Sequence, residues 1–273
     1  MLRIGWFSTA RGPSSRALLS AVHHAIQGGA IDAEIAYVFC SRVDGESNET
    51  DQFLVQVRGY GTPLITESFE QHRRVAGAKG LGFAGGKFAA WREAYDAAVL
   101  RLVQDRHVDV VLQAGYMLVW TPLLCERLRG LNLHPAEPGG PVGTWQQVIW
   151  QLIDQHSTRS GIYMHLVTPH LDQGPVVAFC RYPIDTPDLA EAWQEVGDTP
   201  VSELRAQLGE DLPLFQCIRT AGVRREVPLI LNTLQTLAQG RLSWGVTDPP
   251  PAPLDLTGVV ELQLAAVPKA SGA

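Results

Sequence analysis

VDVVLQAGYMLVWTPLLCERLRGLNLHP, residues 108–135, is the stretch that decides the fold. It opens on an apolar run rich in β-formers, Val108–Ala114, passes through a helical stretch, Thr121–Leu128, and closes on a second short run, Gly130–His134. Short apolar runs without strict alternation suit strands buried on both faces, which is the habit of parallel sheets. The same pattern lies upstream, with Leu2–Phe7 and Glu34–Phe39 as strands and Ser15–Gln27 and Phe88–Gln104 as helices. Strand and helix in alternation predict an α/β fold, an open, mostly parallel twisted sheet with helices on both faces, Rossmann-like.

Downstream, Val148–Asp154 reads as a helix, and Gly161–Val167 and Val176–Tyr182 as two strands joined by the turn-rich loop Thr168–Pro175. From Thr199 the composition turns helical, over Val201–Leu208, Leu214–Ala221 and Val227–Gln239, with Gly240 placed to end the last helix. The run Pro249-Pro250-Pro251-Ala252-Pro253 and the residues after it read as extended chain. The expected organisation is an α/β domain over residues 1–198, a helical extension over 199–240 packing on it, and an extended Pro-rich tail over 241–273. The glycine-rich segment Val75–Gly86 contains a GxGxxG-like fragment from Gly80 to Gly85. It follows no clear strand, so it reads as a flexible surface loop rather than a nucleotide fingerprint.

Bulk properties narrow the function classes. The chain has 273 residues, 45% hydrophobic and 18% charged, with a formal charge of −6. The negative balance argues against nonspecific nucleic-acid binding, and no apolar run approaches the roughly 18–20 residues a membrane span needs. Four scattered cysteines without a CxxC pair read as buried thiols in a reducing, cytoplasmic setting, not as a disulfide framework or zinc site. No metal ligand set is expected.

The chemistry concentrates where strands end. Asn132 and His134 flank Leu133, so in a strand both side chains leave the same face. An amide N–H holds a developing oxyanion, and an imidazole beside it donates a hydrogen bond or passes a proton. Asp172, in the turn Leu171-Asp172-Gln173-Gly174-Pro175, supplies a carboxylate that keeps an imidazole protonated or takes a proton from an attacking amine through water. Each of the three has a bland reading alone, as a satisfied cluster or a turn former.

Four further elements, in register, extend the pattern. They are Arg92-Glu93-Ala94-Tyr95-Asp96, Ala114-Gly115-Tyr116-Met117, Asn132 to Pro135, and His165-Leu166-Val167-Thr168 followed by Leu171 to Val176. In this order they resemble the folate-dependent formyltransferases, most closely the phosphoribosylglycinamide branch of purine biosynthesis, over about residues 1–185. The resemblance implies that Asn132, His134 and Asp172 form a catalytic trio acting through a tetrahedral intermediate. It implies 10-formyltetrahydrofolate as formyl donor, lying against Met117, Leu118, Val119, Val167, Thr168 and Leu171, and a small-molecule amine acceptor, phosphorylated or not. The acceptor would meet Arg11, Gly12, Ser14 and Ser15 in the loop after the first strand, with Arg92 and a supporting His165. Ser14 or Ser15 also reads as a helix N-cap. A monomer or homodimer is expected, with no nucleic-acid or membrane partner.

Departures from the pattern bear on the acceptor. After Asn-x-His-Pro the family continues with serine, apolar residues, proline and a basic residue; here stands Ala136-Glu137-Pro138-Gly139-Gly140-Pro141-Val142-Gly143-Thr144-Trp145. Glu137 sets a negative charge beside the expected phosphate, the glycines make the loop pliable, and Trp145 is placed to stack on a different acceptor. Other readings therefore stay open: formyl transfer to an aminosugar nucleotide, hydrolysis of 10-formyltetrahydrofolate, or a noncatalytic folate- or nucleotide-binding module. Formyl transfer to methionyl-tRNA fits less well, because no basic C-terminal β-domain follows.

Overall fold

A computed structural model describes residues 1–242 and 252–266. By internal contacts it divides into two compact units. The first comprises Met1–Asn132, His165–Pro175 and the described residues from Leu234; the second comprises Leu133–Met164, Val176–Thr233 and those from Ala252.

The first unit begins β1 (Leu2–Ser8), α1 (Pro13–Gln27), β2 (Ala33–Cys40), α2 (Asn48–Gly59), β3 (Leu64–Thr66) and α3 (Phe69–Val75). The segment read as a flexible loop instead folds into a hairpin, β4 (Phe83–Ala84) and β5 (Lys87–Phe88), with the two phenylalanine rings 4.7 Å apart. Gly85 and Gly86 both take positive φ, +55° and +75°, the geometry that lets a two-residue turn match strand twist. No strand–turn–helix surrounds the glycines, so nothing there cradles a dinucleotide. After α4 (Ala90–Val103) come β6 (Val110–Gln113), α5 (Pro122–Arg127) and β7 (Gly130–His134).

Strands β1, β2, β3, β6 and β7 run parallel. The chain builds outward from β1 through β2 to β3, then returns to β1's other side with β6. The crevice beyond the carboxyl ends of β1 and β6 is therefore the switch point where such sheets take ligands. A core of Phe7, Tyr37, Phe39, Tyr95, Val99, Tyr116 and Trp120 packs beneath it, each 7% exposed or less.

The second unit holds α6 (Trp145–Asp154), β8 (Arg159–Leu166), β9 (Val176–Pro183), α7 (Ala190–Val196) and α8 (Val201–Gln207). Within the first unit the strands lie in the order β7-β6-β1-β2-β3, and within the second β8 lies beside β9. Thr144 and Gln147 close a reciprocal capping box on α6, so the glycine-rich loop before it ends on a fixed point.

Two expectations fail toward the C-terminus. The helices expected over Leu214–Ala221 and Val227–Gln239 are one, α9 (Pro213–Ala238), which continues through Pro228. Gly240 does terminate it, at φ +66°, with Arg241 N on Thr236 O and Gly240 N on Leu237 O, the Schellman pattern. Residues 252–266 are not an extended tail: β10 (Leu254–Asp255) adds in parallel to β9, and α10 (Thr257–Ala266) buries Val260 fully. Asn232 and Arg225 of α9 bond Gln263 and Glu261 of α10. The Pro249–Pro251 run lies outside the described residues.

Candidate active site

Strand β7 puts Gly130, Asn132 and His134 on one side and Leu131 and Leu133 on the other. Leu131 is fully buried but Leu133 only half-buried. His134, expected to face an open cleft, is itself 2% exposed. Its Nε2 lies 2.9 Å from the carbonyl oxygen of Pro141. A carbonyl only accepts, so this nitrogen carries a proton. The Tyr163 ring lies 5.1 Å away, tilted by 40°.

Asn132 Nδ2 lies 3.3 Å from Nε2 of His165, near the end of β8. The other ring nitrogen of His165 donates to Leu166 O at 2.9 Å, and Nε2 faces the amide. Asp172 Oδ1 lies 3.7 Å from the same Nε2, and both side chains are more than nine-tenths buried. Asn132, His165 and Asp172 thus converge on one imidazole nitrogen. His165, expected only in a supporting place, is the hub between two of the expected catalytic groups.

The loop that delivers Asp172 is tightly drawn. Asp172 takes φ +53°, a left-handed conformation that aspartate tolerates better than most residues. Two residues on, a Cβ on Gly174 would sit 1.7 Å from Leu166 O, so only glycine lets the chain fold back onto the end of β8. Leu166 N then bonds Pro175 O at 2.9 Å.

At the switch point, the loop after β1 is knitted from hydroxyls. Thr9 Oγ1 accepts from Ser41 Oγ at 3.0 Å and from Met117 N at 2.9 Å, and Thr50 Oγ1 donates to Ala10 O at 3.2 Å. Sequence reading missed Thr9, Ser41 and Thr50, since an isolated hydroxyl in a strand-end loop carries no spacing signal. The expected N-cap serine is corrected: Gly12 is the N-cap, Pro13 opens α1, and Ser14 and Ser15 lie within its first turn. Ser14 and Arg11 are exposed, whereas Ser15 is 4% exposed.

Arg92 was expected to meet substrate. At 1% exposure it instead donates to Asp96 at 2.6 Å and to Val119 O at 2.7 Å, while Asp96 accepts from Thr121 N at 2.8 Å. Arginine and aspartate together brace residues 119–121 from inside, which the REAYD resemblance alone did not reveal. Among the residues expected against folate, Met117 and Leu171 are 44% and 47% exposed. Leu118 belongs to the core and Val167 packs on it, so only their backbones are available to a ligand. Val119 is half-buried and Thr168 closes a turn onto His170.

Two expectations about the loop after β7 change. Glu137 is ion-paired with Arg159 at 3.1 Å and Arg181 at 3.2 Å, so its charge is spent within the fold. Trp145 already carries the guanidinium of Arg219, 4.4 Å above its ring. Nearby thiols are not nucleophiles: burial pushes Cys40 and Cys125 up to about 12. Burial likewise raises Tyr116 far above the ordinary phenol range.

The profile of the family described as Formyl transferase matches residues 13–197, which contain every expected site residue except Arg11 and Gly12. The chain belongs to that family. The phosphoribosylglycinamide formyltransferase of Escherichia coli (strain K12) is 32% identical over 99 residues, 34% of this chain and 44% of the relative. The match thus spans less than half of that relative's length. Among solved structures, glycinamide ribonucleotide transformylase 1 from Symbiobacterium toebii superimposes with a TM-score of 0.60 at 22% identity, covering 90% of this chain and 91% of its own. A formyltetrahydrofolate deformylase from Pseudomonas syringae pv. tomato reaches 0.54 at 19%, covering 89% and 63%. At these identities the likeness is one of fold: a formyl transferase sheet that serves proteins named for both transfer and deformylation.

Proposed function

We propose that this formyl transferase family member moves a formyl group from 10-formyltetrahydrofolate to a small-molecule amine, glycinamide ribonucleotide or a related acceptor. The observation that carries the reading is the meeting of Asn132 and Asp172 on Nε2 of His165, with His134 two residues from Asn132 on the same strand. The amine nitrogen bonds to the formyl carbon, and the carbonyl electron pair moves to oxygen. Asn132 holds that oxyanion, and His134 joins it by turning its Nε2 hydrogen from the Pro141 carbonyl to the oxyanion. Asp172 takes the proton from the amine, through water or His165, and returns it to N10 as the carbon–N10 bond breaks.

The exposed Met117 and Leu171 suit one face of a flat aromatic donor, with the backbones of Leu118, Val119, Val167 and Thr168 for its polar edge. On the acceptor side, the pairing of Glu137 with two arginines removes the charge that stood against a phosphorylated substrate. Exposed Arg11 and Ser14, with half-buried Gly12 between them, are then the groups for its anion, at the start of α1.

A second reading, hydrolysis of 10-formyltetrahydrofolate by water, is favoured by the deformylase among the structural neighbours. One experiment separates the readings. The protein is incubated with 10-formyltetrahydrofolate, with and without glycinamide ribonucleotide and aminosugar nucleotides, and tetrahydrofolate release is followed. Release that requires one amine supports transfer and names the acceptor, and release without any amine supports the hydrolase. No release under any condition rejects both and leaves a binding module.

A further inference from the structure

One buried amide nitrogen beside this site has no hydrogen-bond partner. Gln113 ends β6 and is 5% exposed, and its Nε2 meets no hydrogen-bond acceptor. The strand register sets Phe7, Gln113 and Asn132 side by side in one row across β1, β6 and β7. Neighbours in such a row lie about 4.8 Å apart and leave the same face of the sheet. On one flank Gln113 meets the fully buried Phe7; on the other its polar neighbour is Asn132. A glutamine side chain spans that gap by rotation about its own bonds.

A buried donor left unpaired opposes folding, and native proteins seldom keep one without use. Asn132, meanwhile, has its Nδ2 turned to His165. For the same amide to hold a substrate oxyanion, its plane must be fixed so that a second Nδ2 hydrogen faces the formyl oxygen. Fixing that plane requires a donor to Asn132 Oδ1.

We propose that Gln113 is a positioning residue for Asn132, its Nε2 donating to Asn132 Oδ1 when substrate is bound and so aiming the asparagine N–H at the carbonyl oxygen. The assignment rests on the formyl-transfer reading and deepens it. Gln113 touches neither donor nor acceptor; it acts through Asn132. The Nε2 hydrogen that is idle in the free protein becomes part of the arrangement that binds the transition state.

The test replaces the amide by apolar groups of like size, Gln113→Leu and, as a second shape, Gln113→Met. Tetrahydrofolate release gives kcat and KM for 10-formyltetrahydrofolate, and urea unfolding gives the midpoint for each variant. The expected result is a kcat lower by about 10- to 100-fold, the range for a misaligned reacting group. KM should stay within about twofold, since no ground-state contact is lost. The unfolding midpoint should hold or rise, because an unpaired buried donor is gone. Undiminished kcat overturns the proposal, and so does a kcat loss matched by a lower unfolding midpoint in both variants, which marks a packing role. If the unsubstituted protein shows no turnover, the formyl-transfer reading fails first and takes the assignment with it; turnover in wild type with none of the expected change in the variants rejects Gln113 alone.

Discussion

Asp172 shows how one residue carries two separable burdens. Its left-handed backbone disfavours most side chains, while its carboxylate faces the His165 imidazole. Asparagine visits the left-handed region nearly as readily as aspartate. Asp172→Asn should therefore unfold at the wild-type urea concentration while release of tetrahydrofolate falls by about 10²-fold or more. Asp172→Ala should lose the same activity and a further ~1 kcal/mol of stability, because alanine pays for positive φ. Equal stability of the two variants in urea would count against strain at this position. Arg92 is the opposite case, a charge that serves the fold alone. Arg92→Ala strands Asp96 in the core and is expected to cost about 3–5 kcal/mol by urea unfolding. The sequence signalled Asn132, His134 and Asp172 because their residue types and spacing belong to a recognisable chemistry. It could not signal Gln113 or the hub at His165, because both depend on which strands lie side by side.

At the level of elements, local rules held where local forces decide. Gly240 ends α9 because the turn needs a positive φ; Gly240→Ala should cost about 1 kcal/mol in thermal or urea unfolding. The capping box on α6 has Thr144 and Gln147 at the right spacing, which places the start of the helix before the expected Val148. Helix α9 was split in two at the point where Gly222 and Pro228 weaken the helical pattern. Packing of Leu229, Ile230 and Leu234, each no more than 1% exposed, overrides the proline. The same helix buries Glu226, whose carboxyl is raised by desolvation, with Arg219 at 3.1 Å opposing the shift. A raised carboxyl means that the folded state holds its proton at pH values where the unfolded state has released it. Stability from this group is therefore greatest below the unfolded value and declines as pH rises through the folded one. Glu226→Gln should gain stability over wild type at pH 7, and that gain should shrink toward pH 4 in paired urea titrations. A gain that grows on acidification would contradict the sign.

On the scale of the whole molecule, the alternation of short apolar runs and helices was enough to read the α/β class, and ten elements before residue 198 fall within a few residues of the expected bounds. Composition misjudged the end of the chain. Proline, alanine and glycine suggested a tail without a core, but Leu254 needs only one neighbouring strand, and Val260 only one covered spot, to join the second unit. Periodicity does not report such a late, two-residue strand. Removal of residues 252–273 should therefore lower the soluble fraction on expression and shift the urea unfolding transition to lower concentration. An unchanged transition would return these residues to the status of a tail.

The pairing of β9 with β10 also sets an order of events during synthesis. Pro183 leaves the ribosome roughly 70 residues before Asp255, an interval of about 4 to 14 s at ordinary elongation rates. Throughout it, the edge of β9 at Ala178 and Phe179 has no strand to meet, which is the condition under which nascent chains capture one another. Slow translation of the codons between them would lengthen that window, and a holdase that recognises extended backbone would be the remedy.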